Sequence, residues 1–154
     1  MSKIKLGFAL CGSFCTLSKA IDQMEKLANL DYDIIPIMSF NAYNLDTKFG
    51  KAKDFIERIE EISGKKILSS LTDVEPIGPK NMTDIMLVCP CTGNTLGKLC
   101  RASTDTPVTL AVKSHLRVQK PVVISFASND ALGGSAQNLG KAFNMKYFYF
   151  VPMS

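Results

Sequence analysis

Three short stretches of this chain carry residue types from which a ligand site is built: Cys11-Gly12-Ser13, Ser39-Phe40-Asn41 and Pro90-Cys91-Thr92-Gly93-Asn94-Thr95. Each follows an apolar run. Gly12 lets the backbone approach a bound group with no Cβ in the way, and Ser13 adds a hydroxyl. A helix behind them would aim free N–H groups and its positive end at the same place, the makings of a one-phosphate cradle. The same residues also suit a simple tight turn, and the loop alone does not choose. It is not a Walker loop, because no Gly-Lys-Ser/Thr follows, and it lacks the GxGxxG of dinucleotide sites. In the third stretch Thr92 and Thr95 offer hydroxyls, and Asn94 both donates and accepts.

The other chemistry-bearing residues are fewer. Five cysteines in a chain with no secretory features read as free thiols. The spacings CxxxC at 11–15 and CxC at 89–91, with a single histidine, do not make the closed set of four that zinc takes, so no metal centre is expected. That histidine, His115, is either an acid/base group near neutral pH or a satisfied structural side chain. Asn129 and Asp130 occupy a loop after a strand, as functional residues or as turn-formers.

The elements that must position these residues alternate. Lys5–Leu10 is a short apolar strand. Leu17, Ala20, Ile21, Met24, Leu27 and Ala28 recur at helical spacing after it, with Thr16 or Ser18 to cap the start. Tyr32–Met38 is the next strand, and Pro36, which has no N–H to give to a ladder, points to an edge or a bulge. Phe40–Lys48 reads as a loop. Lys51–Ser63 is an amphipathic helix stopped by Gly64. A short strand is expected over Lys66–Leu71 and an irregular connection through Pro76-Ile77-Gly78-Pro79. Asp84–Cys89 is a buried strand, followed by a turn over Pro90–Asn94 and a helix over Thr95–Ala102. Thr106 caps a further helix with Pro107 at its first position. A strand over Pro121–Phe126, a loop over Ser128–Gly134, a helix over Ser135–Phe143 and a last strand over Tyr147–Val151 complete the chain.

Strands alternating with helices imply an α/β, doubly wound, Rossmann-like three-layer sandwich with a mostly parallel sheet. The 154 residues suffice for a single domain, 1–154, with a real core. No repeat or linker divides it. A net charge of +4, with no basic arm, fits an anionic small molecule and does not call for nucleic acid. No apolar run approaches the length of a membrane span. Met1–Lys5 leads straight into the first strand without the apolar core of a signal peptide, so a cytoplasmic protein is expected.

The third stretch, extended to Cys89-Pro90-Cys91-Thr92-Gly93-Asn94-Thr95-Leu96-Gly97-Lys98-Leu99, resembles the signature of the flavoprotein superfamily of flavin-containing cysteine decarboxylases and flavin prenyltransferases. Pro90, Thr92, Asn94, Thr95 and Asp105 match its Pro-x-Ser/Thr-x-x-Thr segment and turn aspartate. Adding Glu75–Lys80, Thr104–Thr109, Ala111-x-Lys113-x-His115-Leu116-Arg117, Ser128–Gly133 and Tyr147–Pro152, nearly the whole chain looks like the family of dipicolinate synthase B subunits.

The resemblance implies one FMN, held by Gly12, Ser13, Ser39, Pro90, Cys91, Thr92, Asn94 and Thr95. It implies a homo-oligomer, trimer-based, and an A subunit as partner. It further implies an oxidoreductase subunit forming pyridine-2,6-dicarboxylate, from a dihydrodipicolinate-type precursor, in the mother cell of a sporulating bacterium. For such a dicarboxylate, Lys113 and Arg117, spaced i, i+4, with Lys98 and Arg101 on the preceding helix, are candidate cationic partners. The alternative is a solvated helix face. Two other roles stay open, a non-catalytic stabilising subunit with a vestigial flavin pocket and a prenyl-transferring flavin enzyme. The chain departs from the decarboxylases in having no histidine in 40–83 and in carrying Ser128-Asn129-Asp130-Ala131 where they have Pro-Ala-Met-Asn. Relatives of this B-type kind continue past the final Val-Pro, so a C-terminal continuation is an expectation.

Overall fold

The computed structural model describes residues 2–12, 14–44, 46, 50–128 and 131–152. Five strands form one sheet: β1 (Lys5–Leu10), β2 (Asp33–Met38), β3 (Ile85–Cys91), β4 (Val122–Phe126) and β5 (Phe148–Phe150). Their order is β2-β1-β3-β4-β5, and every pairing is parallel. The helices are α1 (Phe14–Asn29), α2 (Phe40–Asn44), α3 (Ala52–Ser63), α4 (Leu71–Val74), α5 (Gly93–Cys100), α6 (Pro107–Leu116) and α7 (Ala136–Phe143), with a 3₁₀ turn at Glu75–Ile77.

The period-2 alternation of the strands sorts their side chains into two cores. Leu6, Phe8 and Leu10 of β1 and Ile34 and Met38 of β2 pack with Leu17, Ile21 and Met24 of α1 and Ile59 of α3. On the other face Ala9, Cys11, Ile37, Met86, Val88, Val122 and Ile124 pack against α4 through α7. The three layers are those expected. The first face is covered unevenly, however. Ile85, Leu87 and Cys89 of β3 and Val123 of β4 stay half-buried, and Tyr149 of β5 is 59% exposed.

Local chemistry accounts for most element ends. Gly64 closes α3 in the left-handed region (φ +67°), its N–H bonded to the Glu60 carbonyl at 2.9 Å. Thr106 and Thr109 form a reciprocal capping box at the start of α6, with Pro107 inside it. Pro36 does sit on an edge strand. On its outer side the Pro36 carbonyl accepts from Leu68 N–H at 2.9 Å, and Met38 N–H donates to the Leu68 carbonyl at 3.1 Å.

Four expectations are corrected. Phe40–Asn44 is a short helix and not loop, because Ser39 accepts a bond from Ala42 N–H through its side chain and one from Tyr43 N–H through its carbonyl. The strand expected over 66–71 shrinks to a single bridge at Leu68, since Ser70 caps the next helical turn through Asp73 N–H. Strand β3 runs on through Pro90 and Cys91. The missing proline N–H falls where the β3–β4 register shifts, while the Pro90 and Cys91 carbonyls accept from Cys11 and Ala127 N–H. The turn is therefore confined to Thr92, and α5 starts at Gly93, not Thr95.

Candidate functional site

In an open parallel sheet the ligand crevice lies beyond the carboxyl ends of the strands where the strand order reverses. Here that point is β1, flanked by β2 on one side and β3 on the other. Gly12 follows β1, Ser39 follows β2 and Thr92 follows β3. All three line one cleft of about 480 Å³, together with Phe40, Asn41, Asn94, Thr95, Lys98, Asp105 and Thr106. The volume lies in the ordinary range for small-molecule sites.

The hydroxyls of Ser39 and Thr92 are already held by backbone N–H groups, and that of Thr95 by side chains. The Ser39 oxygen accepts from Ala42 N–H at 3.2 Å, which leaves its own proton to donate. The Thr92 oxygen caps α5 by accepting from Thr95 N–H at 3.2 Å, and its hydroxyl donates to Thr95 Oγ1 at 3.1 Å. Thr95 is buried, with its hydroxyl also against the Cys11 thiol. Lys98 and Asp105 pair across the rim, Nζ to Oδ2 at 3.2 Å. The wall is thus a set of fixed hydroxyls, the two amides of Asn41 and Asn94, and one ion pair.

Burial makes the thiols beneath the cleft weaker acids than an ordinary cysteine. Burial pushes the Cys11 thiol up to about 11, against hydrogen bonds from Thr95 and Thr92 that pull it down. Burial holds Cys91 well above the ordinary thiol range too, and the neighbouring thiols add to it. Among the described residues no group of histidine, cysteine or acidic side chains is placed to hold a metal.

Of the expected cofactor residues, Gly12, Ser39, Thr92, Asn94 and Thr95 meet in the cleft. Pro90 and Cys91 do not line it. They are buried at the end of β3. Ser13, Asn129 and Asp130 lie outside the described residues. The cationic pair expected to meet the substrate is placed elsewhere. Lys113 is about two turns, roughly 10 Å, beyond Thr106 along α6. There it borders a small apolar recess of about 80 Å³ with Leu99, Val112 and Phe148. Arg117 is exposed at the far end of the same helix.

Of the two readings of His115, the packing fits the satisfied structural side chain. It is fully buried at the amino ends of β3 and β4, the opposite end of the sheet from the cleft. Its Nδ1 meets the Thr83 hydroxyl at 2.7 Å and its Nε2 meets the Pro121 carbonyl at 2.8 Å. A carbonyl only accepts, so Nε2 carries the proton and Nδ1 accepts from Thr83. Burial pushes the imidazole below its ordinary value despite the Pro121 carbonyl, and nearby Lys120 pushes the same way. Phe40 and Asn41 join the cleft with the stretch that follows the second strand, whereas Thr106 was legible in the sequence only as a helix cap and nothing in its spacing marks it as a cleft residue.

The fold and the hydroxyl-lined switch-point cleft are those of a flavin-type α/β protein, and residues 1–145 match the family model described as Flavoprotein. The chain is 37% identical to the B subunit of dipicolinate synthase from Bacillus subtilis (strain 168), over 99% of this chain and 78% of that protein. The crystal structure of the corresponding B subunit from Bacillus halodurans C superposes with a TM-score of 0.86 at 38% identity, covering 99% of this chain and 79% of that one. The fold is also that of Burkholderia xenovorans DmrB, described as a cubic protein cage for redox transfer in complex with FMN. That match has a TM-score of 0.79 at 15% identity and covers 98% and 89% of the two chains. The chain belongs to the flavoprotein family and, within it, to the group of dipicolinate synthase B subunits.

Proposed function

We propose that this chain binds one FMN in the switch-point cleft and acts as the flavin-bearing B subunit of an oxidoreductase that forms pyridine-2,6-dicarboxylate from a dihydrodipicolinate-type precursor. The observation that carries the reading is the convergence of Gly12, Ser39, Thr92, Asn94 and Thr95 from three separate strand ends on one cleft. The donor set suits the group. Gly12 and the free Ser39 proton offer close approach and a donor to a phosphate, and the hydroxyls of Thr92 and Thr95 suit a polyol chain. Asn94, exposed at the first turn of α5, can both donate to carbonyls and accept from ring N–H groups. The relatives named for dipicolinate synthase supply the substrate class, and the FMN-bound DmrB supports the mononucleotide.

Flavin supplies the two-electron acceptor that aromatising a dihydropyridine requires. The protein's part is to bind and orient. No described residue of the cleft is a free general base: its one carboxylate, Asp105, is paired with Lys98. That absence supports dependence on an A-type partner, which would supply acid/base groups and complete the dicarboxylate pocket. The half-covered face of β3–β5 supports self-association into a trimer-based oligomer, since parallel sheets are ordinarily covered on both faces. A sporulating mother cell is the setting this reading implies.

Two measurements test it. Titration of the purified chain with FMN should quench flavin fluorescence to one equivalent per chain. Dipicolinate formation should be slight with this chain alone and full with an A-type partner added. Full turnover by this chain alone would end the subunit reading, and absence of flavin binding would leave a stabilising subunit with a vestigial pocket.

A further inference from the structure

We propose that Lys98 is the carboxylate anchor of the substrate in this cleft and that Asp105 is its resident counter-ion, which competes with the substrate for the ammonium. The inference rests on the flavin and dicarboxylate reading above and deepens it. Lys98 stands one turn beyond Asn94 on α5, so the two side chains share a face and both reach the cleft. It is the only cation among the described residues that line the cleft. Its side chain is 21% exposed, whereas Asp105 is 65% exposed. The Lys98 side chain is therefore packed against the cleft wall, while the carboxylate it meets stands toward solvent.

A lysine ammonium has three donors, and Asp105 takes one of them at 3.2 Å. The remaining donors are available to an anion in the cleft. The flavin phosphate is not that anion. A phosphate at Gly12 and Ser39 lies over β1 and β2, and the loop that carries α5 rises from β3. Adjacent strands are about 4.8 Å apart, so the ends of β2 and β3 are separated by roughly 10 Å. Two anionic groups thus find two separate stations, the phosphate at one end and a carboxylate at Lys98 at the other. Lys113 and Arg117, spaced as a carboxylate grip, are carried away from this cleft by the length of α6.

The pair gives opposite signs on substitution. Removing the Lys98 charge removes the anchor. Removing the Asp105 charge removes the competitor for the ammonium and leaves the cleft more positive. A purely structural ion pair would make the two substitutions act alike.

The experiment uses the FMN-loaded chain with its A-type partner and measures binding of pyridine-2,6-dicarboxylate and of the uncharged pyridine-2,6-dicarboxamide by calorimetry. Lys98→Gln should weaken the dicarboxylate by about tenfold or more, the loss of one charge-assisted bond. It should change the diamide and FMN affinities little. Asp105→Asn should leave the dicarboxylate affinity unchanged or raise it. Equal losses for both ligands in Lys98→Gln, or a tenfold dicarboxylate loss in Asp105→Asn, would overturn the anchor. If Lys98→Gln does not fold, Lys98→Arg should retain the preference for the dicarboxylate over the diamide, and loss of that preference overturns the proposal as well. FMN binding is read separately. Its failure in the unmodified chain strikes the flavin reading, whereas intact FMN binding with an unchanged Lys98→Gln strikes the anchor alone.

Discussion

Ser39 serves two purposes at once, and they can be separated. Its oxygen caps α2 through Ala42 N–H while its side chain lines the cleft at the station proposed for the phosphate. Aspartate caps a helix as well as serine does, but it adds a negative charge beside a dianion, a repulsion of about 1–4 kcal/mol at 4 Å depending on the local dielectric. Ser39→Asp should therefore raise the FMN dissociation constant about tenfold or more while leaving the thermal midpoint near that of the parent. Unchanged affinity would place the phosphate away from Ser39. His115 gives a second prediction, on stability and not on activity. Its folded pKa is depressed by burial from the ordinary 6.5, so between the folded value and 6.5 the unfolded chain binds more protons. The sign follows: the contribution is complete above the unfolded pKa and is lost as pH falls through the interval down to the folded pKa. Urea unfolding as a function of pH should show this acid-side decline, and His115→Gln should flatten it at some cost to overall stability.

Among the elements, the connection from α4 through the 3₁₀ turn to Gly78 depends on close approach to α6. Gly78 N–H donates to Ser114 Oγ at 2.7 Å, and that hydroxyl donates to the Glu75 carbonyl at 2.8 Å. A Cβ on Gly78 would stand 2.1 Å from the Ser114 carbonyl oxygen, a backbone atom that cannot swing aside. Gly78→Ala should cost about 1–3 kcal/mol or more. Chemical denaturation would show it as a lower midpoint with an unchanged slope. A neutral result would mean that the loop is free to lift from α6. This seam explains why Pro76-Ile77-Gly78-Pro79 had to be irregular: the segment needs a glycine where two backbones meet, and prolines around it where no ladder bond is made. The cap at Thr92 has a related logic. One hydroxyl ends β3, starts α5 and faces the cleft, so the turn between strand and helix is also part of the site.

For the molecule as a whole, the uneven covering of the sheet matters most. α1 and α3 cover β1 and β2 on one face, while Leu87, Cys89 and Val123 are only half-buried and Tyr149 is largely exposed. A parallel sheet with one face only partly covered is an incentive to associate. Sedimentation of the purified chain should show a species larger than the monomer, and a strict monomer with full flavin occupancy would argue against sites shared between copies. Replacing Leu87 and Val123 by serine should shift that equilibrium toward the monomer if this face is the contact.

Taken alone, the sequence determined a good deal about this protein. The strand and helix periodicities, Gly64 and the Thr106-Pro107 start announced the α/β sandwich, because those signals are local and act through caps and buried faces within a few residues. The run from Pro90 to Thr95 announced a ligand loop, because its hydroxyls and amide stand consecutively in the chain. What only the tertiary structure decided was distance between elements. Spacing at i, i+4 made Lys113 and Arg117 look like a carboxylate grip, yet α6 points them away from the cleft, and the same packing seats His115 at the wrong end of the sheet with both ring nitrogens satisfied. Lys98, Asp105 and Thr106 became neighbours of Gly12 and Ser39 only when parallel pairing brought the ends of β1, β2 and β3 together. A side chain's type can be read from its letter and a helix face from its period. Which end of a sheet that face serves depends on where the strands stop and how the helices return, and those are properties of the folded chain.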